Sequence, residues 1–144
     1  MIYQKKIKRF MNDQVFIDTS AFKGLVDLKD EFHKKAVQIW HALEKEDCNL
    51  VTTNYVLDES FTLIRARCGT KIVDSFRGIL VRSPNLRVVR VTVSDEALAW
   101  NWFTKNWSKL SFTDCVSFAV MERLKLNRVI TFDSHFKQAG FKLE

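Results

Sequence analysis

The sequence predicts an α/β fold in which a central parallel sheet of four to five strands is covered by helices on both faces. Three observations lead there. Short β-branched runs alternate with longer amphipathic stretches, the pattern of successive βαβ units. The 144 residues include only one Pro and four Gly, too few for a loop-rich or sandwich-like β protein. Hydrophobic residues make up 47% and charged residues 28%, which excludes a disordered chain. A chain of this length forms one domain and buries roughly two-thirds of its unfolded surface without a disulfide or structural metal.

Residues 1–13 begin MIYQKKIKRF and read as a mobile basic arm, or as sequence ahead of a later start at Met11. Residues 14–144 read as the single folded domain. QVFI, residues 14–17, is an apolar run that reads as a buried strand ending in Asp18. A short helix follows over residues 19–26. Asp30 can cap a helix in which Ala36, Val37, Trp40 and Leu43 share one face. NLVT, residues 49–52, is the second strand. Thr53 or Asn54 caps a helix to about Cys68, where Gly69 stops it. Another helix spans residues 70–81, ahead of Ser83 and Pro84. LRVVRV, residues 86–91, has the strongest strand propensity because Val dominates it. Ser94, Asp95 and Glu96 open a helix carrying Leu98, Trp102 and Phe103, with Leu98 and Trp102 on its core face. Ser111 opens the next, to about Leu126. RVIT, residues 128–131, is the fourth strand. Asp133 starts a short helix, and FKL, residues 141–143, is a final edge strand. Parallel crossovers are right-handed. In such sheets ligands bind beyond the carboxyl ends of the strands, where strand order reverses.

Composition narrows the function classes. Lys and Arg number 23 against 17 Asp and Glu, a net charge of +6, and such a surface attracts polyanions. Cys48, Cys68 and Cys115 form no CxxC pair, which removes a zinc framework. Lone thiols of this kind pack as small apolar residues in a reducing cytosol, so the expected location is cytoplasmic. No apolar run approaches the ~20 residues of a membrane span, and no uncharged segment suggests a signal peptide.

Four carboxylates draw notice. Asp18 ends the first strand and Asp133 follows the fourth. The plain reading of each is a helix N-cap, weaker for Asp18 because Thr19 and Ser20 cap equally well. Ser111 and Asp114 have capping-box spacing, although an acid in the first helical turn also projects towards the strand ends. Glu59 falls at the border of its helix's apolar arc, beside Val56 and Leu63, with Asp58 on the polar side. Helix geometry alone favours a solvated acidic pair there. Should the four converge, each pair about 4 Å apart repels by about 4 kcal/mol at an effective dielectric near 20. They then require a cation. Oxygen donors suit Mg²⁺ or Mn²⁺ rather than zinc.

The succession VFIDTSAF, TTNYVLDESFTL and LSFTDCVSFAVMERLKLNRVITFDSHF resembles the PIN domain family, and within it the VapC-type toxin ribonucleases, over residues 15–143. The resemblance implies a PIN-like three-layer α/β/α sandwich. It implies that Asp18, Glu59, Asp114 and Asp133 are the catalytic, metal-binding acids, supported by hydrogen bonds from Thr19, Ser20 or Ser111. It implies a Mg²⁺- or Mn²⁺-dependent endoribonuclease that hydrolyses RNA phosphodiester bonds to 5′-phosphate and 3′-hydroxyl ends. Toxins of this family are homodimers, each paired with a small antitoxin in a type II toxin–antitoxin system. The basic arm is not part of the family pattern. Arg65, Arg67, Lys71, Arg77 and Arg82 follow the Glu59 helix and are expected to flank the cleft and hold RNA phosphates, with Lys23 and Lys137 beside two of the acids. Each alone also reads as a solvated helix face. Trp102 is expected in the core, Trp100 and Trp107 at an interface, and His135 on a helix surface. A PIN-fold RNA-binding module without nuclease activity is the alternative, although such a module has no use for four adjacent acids. A haloacid-dehalogenase-like phosphatase wants a second Asp where Ser20 stands.

Overall fold

The computed structural model describes residues 1–5 and 14–144. Most of the expected basic arm, residues 6–13, lies outside the described residues. Five strands, β1 (Gln14–Ile17), β2 (Asn49–Thr53), β3 (Leu86–Val89), β4 (Arg128–Ile130) and β5 (Lys142–Leu143), form one sheet in the order β3-β2-β1-β4-β5. Every pairing is parallel. Phe16 stands opposite Val51 on one side and Val129 on the other. Val15, Phe16, Ile17, Leu50, Val51, Val129 and Ile130 are buried, as β-branched and apolar strands covered on both faces must be. The Val-rich β3 is an edge strand with Arg87 and Val88 exposed, and it stops at Val89 rather than residue 91.

Seven helices connect the strands: α1 (Thr19–Val26), α2 (His33–Lys45), α3 (Asn54–Cys68), α4 (Thr70–Val81), α5 (Val93–Phe103), α6 (Phe112–Arg123) and α7 (Ser134–Gln138). α1 packs on α2 and α3, α3 on α4, and α5 on α6. Right-handed crossovers then set α1 to α4 on one face and α5 to α7 on the other, the expected three layers. Strand order reverses at β1, whose two neighbours are β2 and β4. α6 is buried continuously from Asp114 to Met121, the burial of a helix apolar on all sides.

Local chemistry sets the helix ends. Thr53 is the α3 cap, its hydroxyl accepting from Val56 N at 3.1 Å, while Asn54 Oδ1 accepts from Val91 N at 2.8 Å. Gly69 ends α3 at φ 89°. α2 begins at His33 rather than after Asp30; Asp30 Oδ1 instead accepts from Phe32 N at 2.8 Å. α6 ends at Arg123, short of Leu126. Lys125 adopts φ 56° and Leu126 N donates to Met121 O at 2.8 Å, a Schellman closure without glycine.

α5 departs most from expectation. Its cap is Thr92, in a reciprocal capping box with Asp95, so the helix begins before Ser94. Leu98 and Phe103 are exposed, while Asp95 and Ala99 are buried. The inward face thus carries Ala99 rather than Leu98, together with a charged residue, Asp95. Its carboxylate is met by Arg123, with Nε at 2.8 Å and Nη2 at 2.9 Å.

Candidate active site

Asp18 directly follows β1 and caps α1. Its Oδ2 accepts from Ser20 N (3.3 Å), Ser20 Oγ (2.9 Å) and Thr131 Oγ1 (3.0 Å). Its Oδ1 is buried and has no hydrogen-bond partner among the described residues. The side chain is 2% exposed. A buried carboxylate oxygen without a partner is costly, so this atom calls for a ligand.

Asp114 arrives from the first turn of α6, where Ser111 Oγ accepts from its N–H at 3.1 Å. Asp133 follows β4 and caps α7 through His135 N at 2.9 Å, while its own N–H donates to Thr131 Oγ1 at 3.0 Å. Glu59 comes from the second turn of α3 and is half-buried. All four acids line one open cavity of about 570 Å³, together with Thr19, Ser20 and Ser111. Thr19 Oγ1 is also buried without a partner among the described residues. Ser20 ties the site together, since its Oγ also accepts from Phe132 N at 2.9 Å.

The electrostatics follow from this crowding. Burial raises the Asp18 carboxyl to about 6, and Glu59 adds to the rise while the hydrogen bonds from Ser20 and Thr131 oppose it. Asp114 is pushed up to about 8, first by burial and then by the charges of Asp18 and Asp133. Single ligand atoms of Asp114, Asp133 and His135 lie within 4.8 Å of one another. Carboxylates this close stay ionised together only when a cation answers them. Two carboxylate oxygens and an imidazole at that spacing, beside the unpartnered Asp18 Oδ1, fit a hard divalent ion.

Several expectations change. Arg65, Arg67, Lys71 and Arg77 do not line the cavity, nor do Arg82 and Lys137; its cations are Lys23, Lys29 and Lys109. Arg65 and Arg67 stand roughly 9 and 12 Å beyond Glu59 along α3, at 1.5 Å per residue. Lys23 is paired with Asp30 at 2.6 Å and Asp27 at 3.1 Å. His135 is half-buried rather than on the surface, with Nε2 2.8 Å from Ser108 O and Nδ1 2.7 Å from Asp133 Oδ1. Its ring stacks on Trp107, and Trp107 also meets Trp102, so Trp107 packs inward. Trp100 stays 55% exposed. Thr131 was not singled out in the sequence, where it reads only as the last residue of a strand. Nor were Lys29 and Lys109, which sit in connections carrying no periodic signal.

The sequence matches the PIN domain family over residues 15–142. The chain belongs to the PIN domain family. This PIN domain is 34% identical over 128 residues to the 23S rRNA-specific endonuclease VapC20 of Mycobacterium tuberculosis, covering 88% of this chain and 95% of that protein. It is 36% identical over 124 residues to a VapC ribonuclease of Archaeoglobus fulgidus, covering 83% and 77%. The crystal structure of Mycobacterium tuberculosis VapC20, described as a sarcin-ricin loop cleaving toxin, superposes with a TM-score of 0.79 at 32% identity. That match covers 89% of this PIN domain and 96% of the other chain.

Proposed function

We propose that this PIN domain is a Mg²⁺- or Mn²⁺-dependent endoribonuclease, the toxin of a type II toxin–antitoxin pair. The observation that carries the reading is the buried, unpartnered Asp18 Oδ1 in a cavity shared with Glu59, Asp114 and Asp133, on a chain of net charge +6. The VapC relatives support it by their named activities.

Asp18, Glu59, Asp114 and Asp133 would hold the ion. Bound there, a divalent ion supplies positive charge to the phosphoryl oxygens and acidifies a water for attack. The chain's own groups prepare the geometry. Ser20 and Thr131 fix Asp18 Oδ2, which leaves Oδ1 as the donor. Ser111 holds the turn that delivers Asp114. Lys29 and Lys109 at the cavity wall offset the acids' repulsion for the RNA backbone. Hydrolysis joins the water oxygen to phosphorus and breaks the bond to the 3′-oxygen, which takes the proton. The ends are therefore 5′-phosphate and 3′-hydroxyl.

The partners follow from the same reading: RNA, a small antitoxin, and a second copy in a homodimer. No helix among the described residues is long and apolar enough to cross a membrane, and the RNA target would be met in the cytoplasm. The name of the mycobacterial relative makes the 23S rRNA sarcin-ricin loop the first RNA to test. With Mn²⁺, wild type should cleave RNA to 5′-phosphate ends, and Asp18→Asn should not. Full cleavage by Asp18→Asn overturns the reading.

A further inference from the structure

Two phenylalanines line the cavity of the acids, and neither belongs to the main hydrophobic core. Phe32 and Phe132 lie face to face, with centroids 4.5 Å apart and planes 2° from parallel. Phe132 is seated where α1 leaves room for it: a Cβ on Gly24 would come within 3.3 Å of its ring. Phe32 is 37% exposed at the cavity wall.

The turn carrying Phe32 is tied down on several sides. Asp30 Oδ1 accepts from Phe32 N at 2.8 Å and Asp30 Oδ2 from Lys23 Nζ at 2.6 Å. His33 Nδ1 lies 2.8 Å from Gly24 O. Asp27 Oδ1 accepts from Lys29 N at 3.0 Å. A ring held this firmly, yet left 37% exposed at a wet, charged wall, is not placed there by burial alone. Its position matters instead for what enters the cavity.

We propose that Phe32, backed by Phe132, is a stacking platform for a nucleobase next to the scissile phosphate. The inference rests on the ribonuclease reading of the same cavity. RNA presents phosphate charge and flat aromatic faces in alternation. The acids with their ion take the phosphate, and Lys29 and Lys109 take its neighbours. The stacked phenyl pair is the aromatic part of the wall, and every base has a face to lay on it. A base can do so only when free of its own helix, so the platform selects unpaired nucleotides in loops or single strands. Phe32 touches no reacting atom; its role is substrate selection.

The test uses Phe32→Ala and Phe32→Trp with two probes of equal length, a single-stranded RNA oligonucleotide and a base-free ribose-phosphate oligomer. Binding is read by fluorescence anisotropy in Ca²⁺, which takes the same oxygen donors, and cleavage of the RNA is read in Mn²⁺. Phe32→Ala should lose about 5- to 150-fold in RNA affinity, the worth of one base–aromatic stack, with less than twofold change on the base-free oligomer. Its KM for cleavage should rise with little change in kcat, and Phe32→Trp should restore wild-type values. Equal losses on both oligomers would mean a structural role and overturn the proposal. Unchanged RNA binding, expected if Phe32 meets a protein partner instead, also overturns it. A wild type that fails to cleave in Mn²⁺ defeats the ribonuclease reading itself. Cleaving wild type with an indifferent Phe32→Ala defeats the platform alone.

Discussion

Replacing Asp114 by Asn removes a charge but keeps the shape of a side chain buried to 5% exposure. Donor atoms of Asp114 and Asp133 lie within 4.8 Å. At that separation two carboxylates repel by about 3 kcal/mol at an effective dielectric near 20. Solvent in the open cavity screens part of this, so the metal-free variant should be more stable than wild type by about 1–3 kcal/mol at pH 8, a Tm gain of about 3–9 °C. The gain depends on pH. The folded carboxyl is raised to about 8 from a reference of 3.8, so between those values the native state binds more protons than the unfolded chain. Wild-type stability therefore falls as pH rises from about 4 to 8, relative to an Asn variant with nothing to titrate. At pH 4 the two should coincide. Mn²⁺ reverses the order: wild type gains about 2.7 kcal/mol at a hundred times its Kd, and Asp114→Asn should gain much less. Thermal unfolding with EDTA and with Mn²⁺, at pH 4 and pH 8, reads all four corners. A metal-free Asp114→Asn less stable than wild type at pH 8, with an unaltered Mn²⁺ shift, refutes the reasoning.

Arg123→Ala strands the buried Asp95 carboxylate and should cost about 2–3 kcal/mol, discounted because the guanidinium is partly exposed. Arg123 holds Asp95 below the usual carboxylate range, so that stability is present above pH ~4 and is lost as pH falls through the lower folded value. Urea unfolding at pH 7 and pH 3 should show the deficit shrinking. Ser111→Ala should cost about 1 kcal/mol as a lost cap and lower RNA cleavage, since the same turn delivers Asp114. Lys29→Ala with Lys109→Ala should reduce the salt dependence of single-stranded RNA binding by a slope of about 1.4. Arg65→Ala with Arg67→Ala should leave that slope unchanged.

Much of the fold was legible because its signals are local. α3 lies between Thr53, a good cap, and Gly69, a left-handed stop. The central strands read as continuous apolar runs because both faces are covered. Errors fell where tertiary structure overrode the local signal. Asp95 occupies a core position because Arg123 arrives from α6 to answer its charge, which no periodicity reveals. α6 ends early because Lys125 takes a left-handed conformation that sequence assigns to glycine. The site divides in the same way. Asp18 and Asp133 were legible as carboxylates closing buried strands, and Asp114 as an acid in a first turn. Thr131, Lys29, Lys109 and Phe32 were not, since only the assembled sheet edge brings them to the cavity. Arg65 and Arg67 follow Glu59 along the helix but do not line the cavity, which nearness in sequence alone does not reveal.

The central claim is that four dispersed carboxylates bind one hard cation between them. The most direct measurement is anomalous diffraction from crystals of the protein equilibrated with Mn²⁺. A strong peak within coordination distance of Asp18, Asp114 and at least one of Glu59 and Asp133 is the expected result. Ordered crystals with a vacant cleft at millimolar Mn²⁺, or metal bound only elsewhere on the surface, would contradict the account.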